Sequence, residues 1–200
     1  TIAHNCMLVY DSDEQVIWHS RRDNNGGQRW PNLGREPDDL EVIQTQGYTS
    51  GEVLAHAIGP DLQTPEFTHI KGDLTQAYSS KVSAYQRSFV FLNLGQSTVP
   101  AVLLVYDWMN TSDPGFDKYW LCHAMQEPVL SPDGKQFTIN RLGVVGKYGI
   151  YSGKLVTSMI LPEAERRIVE MVGGPGREFE GLGGVNYPTR PLESIQTEER

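Results

Sequence analysis

Cysteine is scarce: Cys6 and Cys122 are the only two in 200 residues. Two cysteines make no disulfide framework, so a hydrophobic core has to hold the fold. Each sits in an apolar run (Cys6-Met7-Leu8-Val9; Trp120-Leu121-Cys122). That predicts two buried free thiols, with one disulfide as the alternative in an oxidising compartment. No run approaches the ~20 apolar residues of a membrane-spanning helix. A basic stripe is also missing. The longest basic cluster, Arg21-Arg22, is followed at once by Asp23, and the formal net charge is -8. This excludes an ordinary nucleic-acid surface. No Gly-x-Ser-x-Gly elbow is present, and His4 and Cys6 lie too close along one strand to act as base and nucleophile. Gly173-Gly174-Pro175-Gly176 lacks the Lys-Ser/Thr ending and the following helix of a phosphate loop. No secretion signal stands at residue 1. Both ends, Ile2-Ala3-His4-Asn5 and the polar Ser194 to Arg200, read as cuts from a longer chain.

What is present describes a turn-rich globular domain. Gly (20) and Pro (12) are plentiful, while 38% hydrophobic and 21% charged residues support a core and exclude disorder. Strand signals dominate. They cover Cys6 to Tyr10, with Val16-Ile17-Trp18 as its continuation or hairpin partner across an Asp11-Ser12-Asp13-Glu14 turn. They recur at Ser83 to Leu94, Val99 to Tyr106, Lys118 to Met125, Phe137 to Leu142, Gly149 to Ile160 and Ile168 to Val172. The expected fold is all-β: one antiparallel β-sandwich domain over residues 1–200. Several runs are apolar on consecutive residues, as when a second sheet and a further domain cover both faces. Residues 21–38 read as a long polar, Gly-rich loop. Residues 50–57 read as a short helix, and Pro162 to Arg167 as a helical turn or a connecting turn.

Five histidines invite a metal. In Phe67-Thr68-His69-Ile70-Lys71-Gly72-Asp73, alternation puts Phe67 and His69 on one face. His4, His69 and Asp23, with water in a fourth position, form a chemically sound zinc set. Their spacing matches no short metal motif, and the plainer reading is a pair of satisfied, partly buried histidines. His123 reads as hydrogen-bonded inside the sheets, and His19 and His56 as surface residues. Gly26-Gly27-Gln28-Arg29-Trp30 offers backbone amides, a guanidinium that forks onto carboxylate or sulfate, and an indole that stacks on a sugar. The plainer alternative is an ordinary loop with Trp30 packed on the core.

Taken in order, a series of segments resembles the C-terminal part of heparinase II/III-like polysaccharide lyases. They are Ala3-His4-Asn5, Asp23 to Arg29, His69-Ile70-Lys71-Gly72-Asp73-Leu74-Thr75-Gln76-Ala77-Tyr78, Tyr85-Gln86-Arg87-Ser88-Phe89, Val105-Tyr106-Asp107, Lys118-Tyr119-Trp120-Leu121-Cys122-His123, Leu161-Pro162 and Val172-Gly173-Gly174-Pro175-Gly176. The resemblance runs from residue 3 to about residue 187. Each segment alone is weak, and their order is the specific feature. The resemblance implies antiparallel sheets that follow an N-terminal helical toroid of the same protein. It implies a periplasmic or secreted bacterial enzyme that cleaves an acidic, uronate-containing polysaccharide by β-elimination. A Tyr or His base takes the C5 proton, and a neutral or positive group stabilises the carboxylate as it gains enolate character. It also implies a zinc ion, or another divalent metal, on His4, Asp23 and His69, with Asn25 the alternative occupant of the carboxylate position. Asn5, Gln28, Arg29 and Trp30 would meet substrate. The position two before His4, catalytic in some relatives, is Ile2 here, so no catalytic residue is assigned and this segment alone should be inactive. The metal would pin the loop. Two other readings stand beside this one: a non-catalytic carbohydrate-binding β-sandwich, and a free-standing metalloenzyme. No nucleic-acid or membrane partner is expected.

Overall fold

The computed structural model describes residues 4–14, 16–18, 21–24, 26–29, 36–45, 47–174 and 177, with the backbone alone at 16–18 and 21–23. Strands alternate with turns almost throughout, and every pairing is antiparallel. The all-β expectation holds. The chain divides into two compact units, one built from residues 6–121 and the other from residues 4–5 and 122 onward.

The first unit is organised around a four-stranded meander. Its strands are β4 (Glu52–Gly59), β5 (Phe67–Asp73), β6 (Val82–Asn93) and β7 (Ala101–Thr111), hydrogen-bonded in that order. Two smaller ribbons accompany it. β1 (Met7–Tyr10) pairs with β8 (Asp117–Trp120), and β2 (Val16–Trp18) pairs with β3 (Arg21–Asp23). A short helix α1 (Leu40–Thr45) begins where Asp39 accepts the Val42 N–H at 2.8 Å, an N-terminal cap.

β1 explains itself. Leu8 and Val9 point to opposite faces of one strand, yet both are 0% exposed, so the strand is covered on both sides. Val9 packs with Ala77, Tyr78, Val82 and Tyr85, and Met7, Leu74, Met109 and Phe116 lean on that cluster. Tyr78 and Tyr85 meet edge to face at 5.6 Å. The turn after β1 is locked by a buried ion pair between Lys81 Nζ and Glu14, whose other carboxylate oxygen accepts the Ser79 hydroxyl.

Apolar side chains sit on both faces of the meander. Cross-strand register puts Phe67, Leu104, Tyr106 and Trp108 on one face and Ile58, Ile70, Phe91, Leu103 and Val105 on the other. All of them are partly exposed. The expected same-face placement of Phe67 and His69 holds: His69 lies opposite Ala57 on one side and Val90 on the other.

The second unit is a three-stranded sheet in the order β11 (Gly149–Ser158), β10 (Gln136–Gly146), β9 (Val129–Leu130). Its β10–β11 pairing slips between Arg141 and Val144. A shallow cleft at this slip is lined by Arg141, Val144, Val145, Gly146, Tyr151, Ser152 and Gly153.

Several local expectations fail for identifiable reasons. Residues 50–57 do not form a helix, because residues 52–59 are β4, laddered to β5. β2 is neither a continuation of β1 nor its partner. It pairs with β3, inside the stretch expected to be loop. β8 stops at Trp120, short of Met125, while β7 runs past Asp107 to Thr111. Residues 168–172 form no strand, and among the described residues nothing pairs with them. The helical turn after Pro162 is a 3-10 turn, Ala164–Arg166. Both cysteines are free thiols, but Cys122 is exposed and only Cys6 is buried.

Candidate functional site

The polar segment expected to face substrate is seated on β1 by one glycine. Gly26 has φ +72°, a conformation that L side chains rarely adopt, and a Cβ there would stand 3.0 Å from the Val9 carbonyl oxygen. This close approach lets the Val9 N–H donate to the Gly26 carbonyl at 2.8 Å. The chain then runs to a 3-10 turn, Thr75–Ala77. There Arg29 donates its backbone N–H to the Ala77 carbonyl at 2.8 Å and its Nε to the Gln76 carbonyl at 3.0 Å. Arg29 is otherwise exposed, and its two Nη groups meet no partner among the described residues. The Tyr78 phenol donates its O–H to the Met7 carbonyl at 2.6 Å. The turn is in turn fastened to β6. Tyr85 N–H donates to Thr75 Oγ1 at 2.9 Å, and Leu74 N–H to the Tyr85 carbonyl at 2.8 Å.

Beneath this platform lies a charged cluster that composition alone does not reveal. Arg87 forks onto Asp107, and the Tyr85 hydroxyl donates to Asp107 Oδ1 at 2.8 Å. The guanidinium lies 5.9 Å from the Tyr85 ring centroid and 5.7 Å from that of Phe89. Burial pushes both phenols well above the usual tyrosine range, and the Asp107 charge adds to the effect. Burial alone would lower the Arg87 pKa, but the Asp107 hydrogen bond and the neighbouring anionic groups outweigh it and raise it. The sequence signal was Tyr85-Gln86-Arg87, whose alternation puts Tyr85 and Arg87 on one face.

In the second unit, Asn5 and His123 meet. Asn5 Oδ1 accepts the His123 backbone N–H at 2.7 Å and lies 3.1 Å from His123 Nδ1. His123 is exposed, not enclosed between sheets as expected.

The proposed metal ligands fall as follows. His69 is half-buried in mid-β5, and His4 is exposed in the segment before β1, within the second unit. Asp23 ends β3, and its side chain lies outside the described residues, as do Asn25, Trp30 and His19. His56 is exposed, as expected. Among the described residues, no three His, Cys, Asp or Glu side chains gather in a group that could hold an ion. Two imidazoles and a carboxylate remain a donor set chemically suited to zinc. Among the described residues no helix is long and apolar enough to cross a membrane.

The contacts join segments that lie far apart in sequence. Gly26 to Arg29 meets the end of the His69-to-Tyr78 segment. Tyr85-Gln86-Arg87 meets Val105-Tyr106-Asp107, and Asn5 meets His123. Compared with known proteins, the chain matches no family model and no curated protein.

Proposed function

We propose that this chain is the β-sheet part of a polysaccharide lyase that cleaves uronate-containing glycans by β-elimination, with its strands arranged as a sandwich. The reading rests on the series of segments resembling heparinase II/III-like lyases. The observation that supports it best is that six of these segments meet in pairs through specific hydrogen bonds.

Within that reading, Arg29 presents its exposed guanidinium edge to a uronate carboxylate or a sulfate. Its Nε bond to Gln76 fixes the side chain before the glycan arrives, which reduces the ordering cost of binding. A local cation of this kind is needed, since the chain carries a net charge of -8 and would repel a polyanion. Gln28, beside Arg29 in the chain, is proposed to face substrate with it. His4, Asp23 and His69 are the proposed holders of a zinc ion, whose contribution would be to fix the loop. The base that takes the C5 proton belongs to the helical toroid expected upstream, in a periplasmic or secreted enzyme.

The test uses the full-length natural protein. It is incubated separately with heparan sulfate, chondroitin sulfate and alginate, and the ultraviolet absorbance of the unsaturated uronate product is followed. Absorbance growth with one of these glycans is expected, and Arg29→Ala should slow it chiefly by raising KM. Absence of an unsaturated product from all three, or absence of a helical domain before Thr1, overturns the lyase reading. Elemental analysis should find about one zinc per chain, lost in His69→Ala.

A further inference from the structure

The β10–β11 hairpin is a basic element of an acidic protein. From Gln136 to Ser158 it has no Asp or Glu, yet it carries Arg141, Lys147 and Lys154, against a net charge of -8 for the chain. The chain as a whole repels a polyanion, while this hairpin attracts one. Lys147 lies over the Tyr148 ring at 5.2 Å, and Lys154 stands opposite Asn140 on one face of the hairpin. Arg141 is on the other face and exposed, and among the described residues nothing pairs with its guanidinium.

Arg141 faces the cleft at the register slip. It stands opposite Gly153, and Val144 opposite Tyr151, so these four share a face. The next residue of that row is Leu155, and Gly153 leaves a gap between it and Tyr151. Nothing in the hairpin's own fold requires this glycine. The extra residue of the bulge is on β10, where Gly143 takes φ +63° and donates its N–H to Ser152 Oγ at 3.1 Å. A Cβ on Gly153 would meet nothing within 4 Å. A mid-strand glycine weakens a sheet, and it commonly marks where a ligand or another backbone approaches closely. A second glycine shapes the wall of the gap. A Cβ on Gly146 would stand 2.8 Å from the Tyr151 ring, so this half-exposed ring lies against bare backbone. The cleft offers about 320 Å³, at the lower end of ligand pockets, roughly 300–1,000 Å³.

We propose that this cleft is a binding site for an acidic saccharide. Arg141 forks onto its carboxylate or sulfate, the Tyr151 ring packs on the apolar face of the sugar, and Gly153 keeps the seat open. Every residue of the site belongs to β10 or β11, so the second unit alone completes it. The ligand class rests on the glycan reading above, to which the cleft adds contact residues besides Arg29.

The test is calorimetric titration of the full chain with tetrasaccharides from heparan sulfate, chondroitin sulfate and alginate. Neutral cellotetraose and polyglutamate serve as comparisons. At least one acidic tetrasaccharide should bind, and cellotetraose should not. Arg141→Ala should weaken that tetrasaccharide about tenfold or more, the worth of a charge-assisted hydrogen bond, and should do so in an Arg29→Ala background as well. Gly153→Val separates seat from scaffold. A β-branched residue suits a strand, so the thermal midpoint should stay level or rise, while the filled seat costs about tenfold in affinity. A lower midpoint would show that the fold needs this glycine, and overturns the seat. Unchanged affinity in either variant overturns the site. Polyglutamate binding as tightly as the saccharide also overturns it, in favour of a patch for acidic protein. Unsaturated product from the cleavage assay without any Arg141 dependence of binding removes the site and leaves the lyase reading standing. Arg141-dependent binding without such product removes the lyase reading and keeps the site. If none of the three tetrasaccharides binds, the site falls whatever the cleavage assay shows.

Discussion

Arg87 holds Asp107 with two parallel bonds, Nε to Oδ1 at 2.6 Å and Nη2 to Oδ2 at 2.9 Å, across neighbouring strands β6 and β7. The two residues face each other in register, and their side chains are only 10% and 13% exposed. An ion pair this enclosed is costly to break from one side, because the survivor is left charged in a poor solvent. Asp107→Leu removes the carboxylate from the Arg87 fork and from the Tyr85 hydroxyl, and should cost about 3–5 kcal/mol in urea unfolding. The double variant Arg87→Met with Asp107→Leu should recover much of that loss. A single-variant cost under about 0.5 kcal/mol, the range of neutral surface changes, would show that the pair is not enclosed.

Alkali should unfold the first unit through Tyr78 and Tyr85. Burial raises both phenols in the folded state, above the 10.0 of a free phenol. A group whose folded pKa is raised contributes stability that is complete below its unfolded value. That contribution is lost as pH climbs from the unfolded value toward the folded one, since only the unfolded chain then releases the proton. Urea midpoints should therefore hold steady from pH 7 to about 9 and fall above about 10. Tyr85→Phe should start lower, having lost its bond to Asp107, and fall less steeply. A midpoint that does not change through pH 11 would contradict the burial of the two rings.

Gly26→Ala should damage both stability and glycan binding. The new methyl meets the Val9 carbonyl at 3.0 Å while the backbone is held at φ +72°. Strain of this type costs about 1–3 kcal/mol. Because Arg29 is three residues on, the guanidinium loses its fixed seat on Gln76, and affinity for a uronate tetrasaccharide should fall with stability. Gly134→Ala serves as the control: it has φ +65° and open space within 4 Å of its Cβ position. It should lose stability from the backbone alone and leave glycan affinity unchanged. Equal loss of affinity in the two variants would separate Gly26 from the platform.

The two thiols should label at very different rates. Cys122 is exposed, whereas Cys6 is buried; desolvation pushes both thiols up, so access to the reagent sets the difference. A thiol reagent at pH 8 should modify one cysteine per chain quickly in the folded protein and the second only on unfolding. Peptide mapping should place the fast label on Cys122. Fast modification of Cys6 would mean that β1 is not covered on both faces.

The elements legible in the sequence were those with long apolar strands. β6, β7, β10 and β11 reveal themselves because they run 10 to 12 residues and carry little that competes with a strand. β4 was hidden by its own irregularity. The register slips between Val53 and Ala55, which inserts Leu54 and breaks the two-residue alternation. What remains, Leu54-Ala55-His56-Ala57, is rich in good helix formers, and pairing with β5 overrides them. β3 was hidden for a different reason, since Arg21-Arg22-Asp23 has no apolar face to report. Of the site, Arg29 was legible from its residue type and neighbours. The seat that holds it was not, because the Gln76 and Ala77 carbonyls belong to the backbone and leave no mark on side-chain patterns. The Asn5–His123 pair joins residues 118 positions apart, a separation that no local pattern encodes.

The ribbon of β1 with β8 has a consequence for how the first unit is assembled. Each strand of the meander pairs with its nearest neighbour in sequence, so those hairpins close over short loops and can form early. β1 and β8 stand at opposite ends of the same stretch, with Tyr10 opposite Asp117 and Met7 opposite Trp120. Their hydrogen-bonded pairing closes a long loop that holds the whole meander, so it has more loop entropy to overcome than the hairpins and works as a clasp. The two ends of the unit thus lie side by side. A circular permutant that joins them by a short linker and opens the chain at the exposed β6–β7 turn around Gly95 should keep its fold, because no strand pairing is cut.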